Sequence, residues 1–201
     1  MHDHSLKHLD PRAPLVLDIR DLPRRPGAMR VVQRTIHAPA DLGLELIGVP
    51  EGADLTLDLR LESVSEGVLV SGTGSGPLAG ECGRCLRPIT DSVTVTLQEL
   101  YAYEHSTTEE TTEEDEVGRL QGDLLDLEPA LRDAVVLALP NHPLCREDCP
   151  GLCPECGVPW DELPGGHSHP RLDSRWAGLT QLAEETRTGN GAVDGDASEA
   201  E

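Results

Sequence analysis

Six cysteines spaced like metal ligands constrain this chain more than any other feature. Cys82-Gly83-Arg84-Cys85 is a C-x2-C pair; some sixty residues later come Cys145 and Cys149, then Cys153-Pro154-Glu155-Cys156-Gly157. Two thiolates two residues apart can grip one tetrahedral ion, and a glycine after the second lets the backbone turn and aim N–H groups at sulfur. His167-Ser168-His169 follows at ligand distance. Six Cys and two His make eight donors, enough for two four-coordinate zinc sites. In one scheme Cys153, Cys156, His167 and His169 close a local Cys2His2 site. Cys82, Cys85, Cys145 and Cys149 then staple the β-rich part of the chain to its C-terminal segment. In another, Cys145, Cys149, Cys153 and Cys156 surround a single ion, and Cys82 and Cys85 stay free or join the histidines.

Either scheme points to structural metal, because a catalytic zinc keeps one position open for water. A hydrolytic site would arise only if His167 or His169 were a spectator. Redox chemistry at Cys82 and Cys85 is disfavoured: a reactive C-x2-C places its first thiol near a helix N-terminus, and Cys82 sits among Gly, Pro and strand-forming residues. No Gly-rich phosphate loop, G-x-S-x-G elbow or His-Glu helix pair is present, and Gly72, Gly74 and Gly76, with no helix pattern after them, read as a turn.

Metal rather than disulfide is the expectation for a reducing compartment. The polar start, Met1 to His8, has no apolar core of a secretion signal, and no apolar run approaches a membrane span of ~20 residues. The chain is therefore expected to be cytoplasmic, with no membrane partner and no small-molecule substrate. His2, His4 and His8 read as a solvated cluster.

Hydrophobic periodicity gives the fold class. Leu55, Leu57, Leu59 and Leu61 alternate with Thr56, Asp58, Arg60 and Glu62, which is a strand with one buried face. Val93, Val95 and Leu97 repeat the pattern, and shorter strands are expected at Leu15–Arg20, Met29–His37, Leu44–Val49 and Val68–Ser71. Strands about ten residues apart without intervening helices predict an antiparallel β-barrel or curled sheet. Asp126-Leu127-Glu128-Pro129 opens a helix over 127–138, with Leu127, Leu131, Ala134, Val135 and Ala138 as its apolar stripe and Pro140 as its stop. A second helix is expected from about Asp173, with Trp176, Leu179 and Leu182 on one face. The chain thus reads as β-rich α+β: a flexible N-terminus 1–14, a β-rich domain 15–140 containing an acidic loop 104–118, a zinc-binding segment with its helix 141–186, and a disordered acidic tail 187–201.

Charge bears on partners. Lys and Arg number 16 against 37 Asp and Glu, a formal charge of −21. Residues 1–100 carry 10 basic and 14 acidic side chains, so the second half holds most of the excess. Its seven acids between Glu104 and Glu116, without Lys or Arg, suit a solvated loop or a mimic that shields a basic partner. Casual nucleic-acid binding is disfavoured, and with Tyr101, Tyr103, Trp160 and Trp176 as the only aromatics a base-stacking platform is too. One basic stretch, Arg20, Arg24, Arg25, Arg30 and Arg34 with only Asp21 among them, is the candidate contact for RNA or another partner.

Cys82-Gly-Arg-Cys85-Leu-Arg-Pro, Asp126-Leu-Glu-Pro, Leu137-Ala-Leu-Pro140 and the run from Pro143 to Gly157 resemble the YceD family of large ribosomal RNA subunit accumulation proteins. The resemblance extends from about Leu15 to Leu182. Many members carry C-x-C where this chain has His167-Ser-His169. The resemblance implies a non-enzymatic factor needed for accumulation or processing of large-subunit ribosomal RNA, partnered by that RNA or a ribosomal protein. One or two structural Zn2+ ions are expected. A zinc-stabilised protein-interaction adaptor without a direct RNA role is the alternative.

Overall fold

The computed structural model describes residues 8–103, 106, 117–169 and 179. The chain divides into two compact units, Met1–Gly151 and Leu152–Glu201. The helix expected from Asp173, the acidic tail, His2 and His4 lie outside the described residues, apart from Leu179 in that helix. So does the acidic loop 104–118, apart from Ser106, Val117 and Gly118.

The first unit is organised by one long hairpin. Strands β6 (Gly67–Glu81) and β7 (Pro88–Ala102) pair antiparallel along all 15 residues, from Gly67 opposite Ala102 to Glu81 opposite Pro88. The other side of β6 is shared by two elements. Strand β5 (Asp54–Ser63) pairs with its first half, and β4 (Ile47–Val49) pairs near its end, opposite Ala79 and Gly80. Strand β2 (Met29–His37) adds to β5, and β3 (Leu42–Gly43) adds to β4. The two-residue strand β8 (Gly118–Arg119) joins β7 in parallel, the one departure from the antiparallel pattern expected. A separate ribbon pairs β1 (Val16–Asp18) with β9 (Leu124–Asp126).

The sheet is open, which excludes the closed barrel and leaves the curled sheet of the two expected forms. Its edges are β2 and β3 on one side and β8 on the other, with no pairing between the two sides among the described residues. The physical reason is what covers the inner face. Helix α1 (Glu128–Ala138) packs on β7 and β3, and its Leu131 and Val135 join Leu57, Leu59, Val70 and Leu97 in one buried cluster. Leu15, Leu17, Leu125 and Leu127 close the same core from the β1–β9 ribbon and its flanks. A sheet capped this way buries its apolar face without closing on itself.

Residues in β5 follow their periodicity closely: Leu55, Leu57, Leu59 and Leu61 are each 1% exposed. Helix α1 starts where Asp126 Oδ1 accepts the Glu128 N–H at 3.0 Å, and it ends at Leu139, whose extended backbone is what a following proline favours. Of the expected stripe, Ala138 is exposed, and Leu139 is buried instead.

Gly72, Gly74 and Gly76 do not form a turn; they lie inside β6. Glycine usually weakens a strand, but here it lets layers approach. A Cβ at Gly74 would sit 3.2 Å from Leu131 Cδ1 and 3.3 Å from Leu57 Cδ2, in the space α1 uses. At Gly72, with φ +152°, a Cβ would lie 2.1 Å from the Asp58 carbonyl oxygen. The turn reading failed because no pattern in the strand itself records what packs across it.

The second unit is built differently. A bridge between Leu152 and Pro159 is followed by a single 3-10 turn, Trp160–Glu162. Among its described residues only Cys153 is buried. No helix among the described residues is long and apolar enough to cross a membrane.

The two glycines should respond differently to alanine. At Gly74 the obstructing atoms are side-chain ends that can shift, so Gly74→Ala should cost about 1–2 kcal/mol. At Gly72 the obstruction is ladder backbone, so Gly72→Ala should cost more than Gly74→Ala. Chemical denaturation of the metal-loaded protein measures both, and a reversed order would contradict this packing.

Candidate metal centres

The tip of the β6–β7 hairpin carries the first donor pair. Cys82 and Cys85 bracket a tight turn in which the Cys82 N–H donates to the Arg87 carbonyl, and the Leu86 N–H to the Cys82 carbonyl, both at 2.9 Å. Two hydrogen bonds tie the chain segment following α1 to this tip. The Gly83 N–H donates to the Pro143 carbonyl at 2.8 Å, and Arg84 Nη1 to the Cys149 carbonyl at 2.9 Å. Cys145 and Cys149 thereby meet Cys82 and Cys85, and the four sulfurs lie within 4.8 Å of one another.

Distances show what this arrangement can hold. Cys82 Sγ and Cys149 Sγ are 3.8 Å apart, and Cys85 Sγ and Cys145 Sγ are 3.6 Å apart. A disulfide needs ~2.05 Å. A tetrahedron with metal–sulfur bonds of ~2.3 Å has edges of ~3.8 Å. The thiols are thus spaced as ligands of one ion. Cys82, Cys85 and Cys149 are buried, while Cys145 is exposed.

The electrostatics agree. Burial pushes the Cys82 thiol up, but the backbone N–H groups of Cys145, Arg84 and Cys85 outweigh it and bring it down to about 6. Although Cys145 as a residue is exposed, desolvation of its sulfur and the neighbouring sulfurs push its thiol up to about 12. Cys85 also ends raised, because burial and the Cys82 and Cys149 sulfurs override the N–H of Arg87. Protein dipoles therefore support one thiolate readily, and a divalent cation is what allows the others to ionise beside it.

The second set lies within the second unit. The Gly157 N–H donates to the Cys153 carbonyl at 2.8 Å, and the Cys153 N–H to the Val158 carbonyl at 2.8 Å, closing a knuckle with Gly157 at φ +70°. The turn after the 3-10 segment then returns His167 and His169, so that Cys153, Cys156, His167 and His169 offer donors within 4.8 Å of one another. Cys156 Sγ lies 3.6 Å from His167 Nε2, close to the mixed sulfur–nitrogen edge of a tetrahedral site, and the two Nε2 atoms are 2.8 Å apart. Trp160 stands edge-on to the His167 ring, centroids 5.6 Å apart, and fixes its plane. The backbone N–H of Cys156 leads the groups that lower the Cys153 thiol to about 6.

Within each unit the structure brings four donors together, Cys82, Cys85, Cys145 and Cys149 in the first and Cys153, Cys156, His167 and His169 in the second. The two knuckles share one hydrogen bond, from the residue after the second Cys to the carbonyl of the first, and both need a left-handed residue there. The second uses Gly157; the first uses Leu86 at φ +59°, exposed and without glycine's freedom. Sequence reasoning missed Arg84 and Gly83, which join the two strands of the first set. An arginine between two cysteines was the available signal.

The basic stretch is less free than its spacing suggests. Arg20 is paired with Asp18, whose carboxyl its side-chain donors hold down at about 2. Arg24 Nη2 lies 2.8 Å from Asp123 Oδ1, and its guanidinium sits 5.2 Å from the Tyr103 ring centre. Arg30 Nη1 donates to the Asp18 carbonyl at 3.1 Å. Arg34 is half-buried on β2, and Arg25 is exposed in the preceding turn. Asp123 is distant in sequence, so a local count of acids could not find it.

Residues 70–183, over half the chain, match the family model "Large ribosomal RNA subunit accumulation protein YceD". An uncharacterized protein of Mycobacterium tuberculosis is 56% identical over 170 residues, covering 85% of this chain and 82% of that protein. One from Mycobacterium leprae is 48% identical over 187 residues, covering 93% and 86% respectively. The uncharacterized protein YlbN of Bacillus subtilis is 24% identical over 127 residues, covering 63% of this chain and 72% of its own length. No solved structure matches the chain. With two complete sets of four soft donors and a family match that spans both, the chain belongs to the YceD family.

Proposed function

We propose that this protein is a non-enzymatic ribosome-assembly factor of the cytoplasm that supports accumulation of large-subunit ribosomal RNA, and that each donor set holds one structural zinc ion. The observation that carries the reading is the pair of complete four-donor sets inside a chain that matches the rRNA-accumulation family. Thiolate and imidazole donors, with sulfur–sulfur and sulfur–nitrogen distances near the edges of a tetrahedron, favour zinc over harder cations. Four protein donors leave no coordination position for a reacting water, which supports a structural role over a hydrolytic one. Free thiols at ligand spacing suit a reducing compartment.

A second reading, an adaptor that binds protein and never touches RNA, draws on one observation. Arg20 and Arg24, two of the five arginines offered for phosphate contact, are already matched to Asp18 and Asp123. Ultraviolet crosslinking in cells separates the two: labelled RNA on the chain supports direct contact, and its absence with retained co-sedimentation supports the adaptor.

Depletion should lower the ratio of large- to small-subunit ribosomal RNA and leave precursors of the large subunit behind. An unchanged ratio would overturn the assembly reading.

Metal analysis of the purified protein should give two zinc ions per chain. Cys153→Ser should remove one of them and leave unfolding of the first unit unchanged. Cys82→Ser should also remove one, but lower the denaturation midpoint, because three thiols would remain clustered at the hairpin tip without their ion. Equal effects of the two substitutions on the first unit would contradict the assignment of ions to sets.

A further inference from the structure

The first unit contains a cavity of about 450 Å³ that neither donor set uses. Its floor is apolar and buried: Leu15, Val16 and Ala38. Its rim is acidic: Asp10, Asp126 and Glu128. His8 and His37 complete the mouth, His37 facing Asp54 at 3.3 Å, and among the described residues no Lys or Arg lines it. The rim carboxylates are held in place by local bonds that use one oxygen each. Asp10 Oδ1 accepts the Arg12 N–H at 2.9 Å, and Asp126 Oδ1 accepts the Glu128 N–H at 3.0 Å. Glu128 Oε1 lies 2.9 Å from Arg132, which is itself fixed by the carbonyls of Ala40 and Asp41.

We propose that this cavity receives an arginine side chain of a basic partner protein, its alkyl stem on the Leu15–Val16–Ala38 floor and its guanidinium among the carboxylates of Asp10, Asp126 and Glu128. The chemistry selects that occupant. A phosphate or a lipid headgroup is repelled by the carboxylates of Asp10 and Asp126, while Glu128 is already matched by Arg132. A hydrated metal ion gains nothing from an apolar floor. Arginine has an apolar stem below a planar cation with several donors, which matches both layers and can serve more than one carboxylate. The inference rests on the assembly reading only for why a basic protein would be met; the site itself is argued from the first unit alone.

The test uses the full-length, zinc-loaded, isotope-labelled chain and two probes, acetyl-arginine methylamide and its neutral isostere acetyl-citrulline methylamide. Amide shifts should concentrate at Leu15, Val16, Ala38 and Glu128 with the arginine probe, and the citrulline probe should produce none. Asp10→Asn combined with Asp126→Asn should weaken arginine binding about tenfold. Neutralising Asp58 and Glu62 on β5, an equal loss of charge elsewhere, should leave it within about twofold. Absent shifts, equal response to citrulline, or shifts spread over the acidic surface would each overturn the site. If the cavity variant does not fold, the comparison of the two probes on the unaltered chain still decides. Ribosomal RNA levels play no part in this measurement, so the cavity and the assembly reading can fail separately.

Discussion

Four thiols gathered at the tip of the β6–β7 hairpin are the constraint on which the placement of the segment after α1 turns. They lie about sixty residues apart in two pairs, and local hydrogen bonds from Gly83 and Arg84 bring them together. Left as neutral thiols, they would be small apolar groups with a weak hold on the segment after α1. An ion at their centre would convert them into a cross-link. In the chain-entropy picture, closing a loop of about sixty residues restricts the unfolded chain by about 4 kcal/mol, and the shorter loop from Cys153 to His169 by about 3 kcal/mol. Loop length therefore separates the two sets little. What separates them is their surroundings: the first set joins elements that already share a core, and in the second unit Cys153 alone among the described residues is buried.

That contrast divides the labour between apolar burial and metal. The first unit has a continuous core running from the leucines of β5 to Leu131 and Val135 of α1, and this core would persist with its metal tip loosened. The described part of the second unit has turns, one bridge and a donor set. With an ion bound, its geometry would depend on that ion in the way small zinc modules do, where binding free energy is folding free energy. The same chemistry, four Cys or His donors around one cation, would thus fasten an existing fold in one place and replace a core in the other.

Legibility in the sequence followed the range of the information needed. The β5 strand and helix α1 were readable because burial at period 2 and period 3.6 is written in adjacent residues. The donor residues were readable because ligand spacing is local, and their family resemblance ran through the same motifs. Gly72, Gly74 and Gly76 misled because glycine signals a turn unless one knows that Leu131 packs across the strand. The closed barrel was an overreach of the same kind, since strand spacing says nothing about which element covers the sheet's inner face. The arginine stretch was overcounted because Asp123 reaches Arg24 from 99 residues away.

Such ion pairs change what the acidity of the chain means. A charge of −21 argues against RNA as an incidental ligand, and pairing of Arg20 and Arg24 removes part of the one local exception. Large-subunit assembly nevertheless brings together an acidic polymer and strongly basic proteins, and a factor can serve it from either side. An acidic chain is repelled by the polymer and attracted to the proteins, with on-rates raised by the same long-range field that lowers casual RNA binding. Specificity cannot come from that field, because every acidic surface shares it. It requires a place where charge and shape coincide, and on the first unit the carboxylate-rimmed cavity over Leu15, Val16 and Ala38 supplies both.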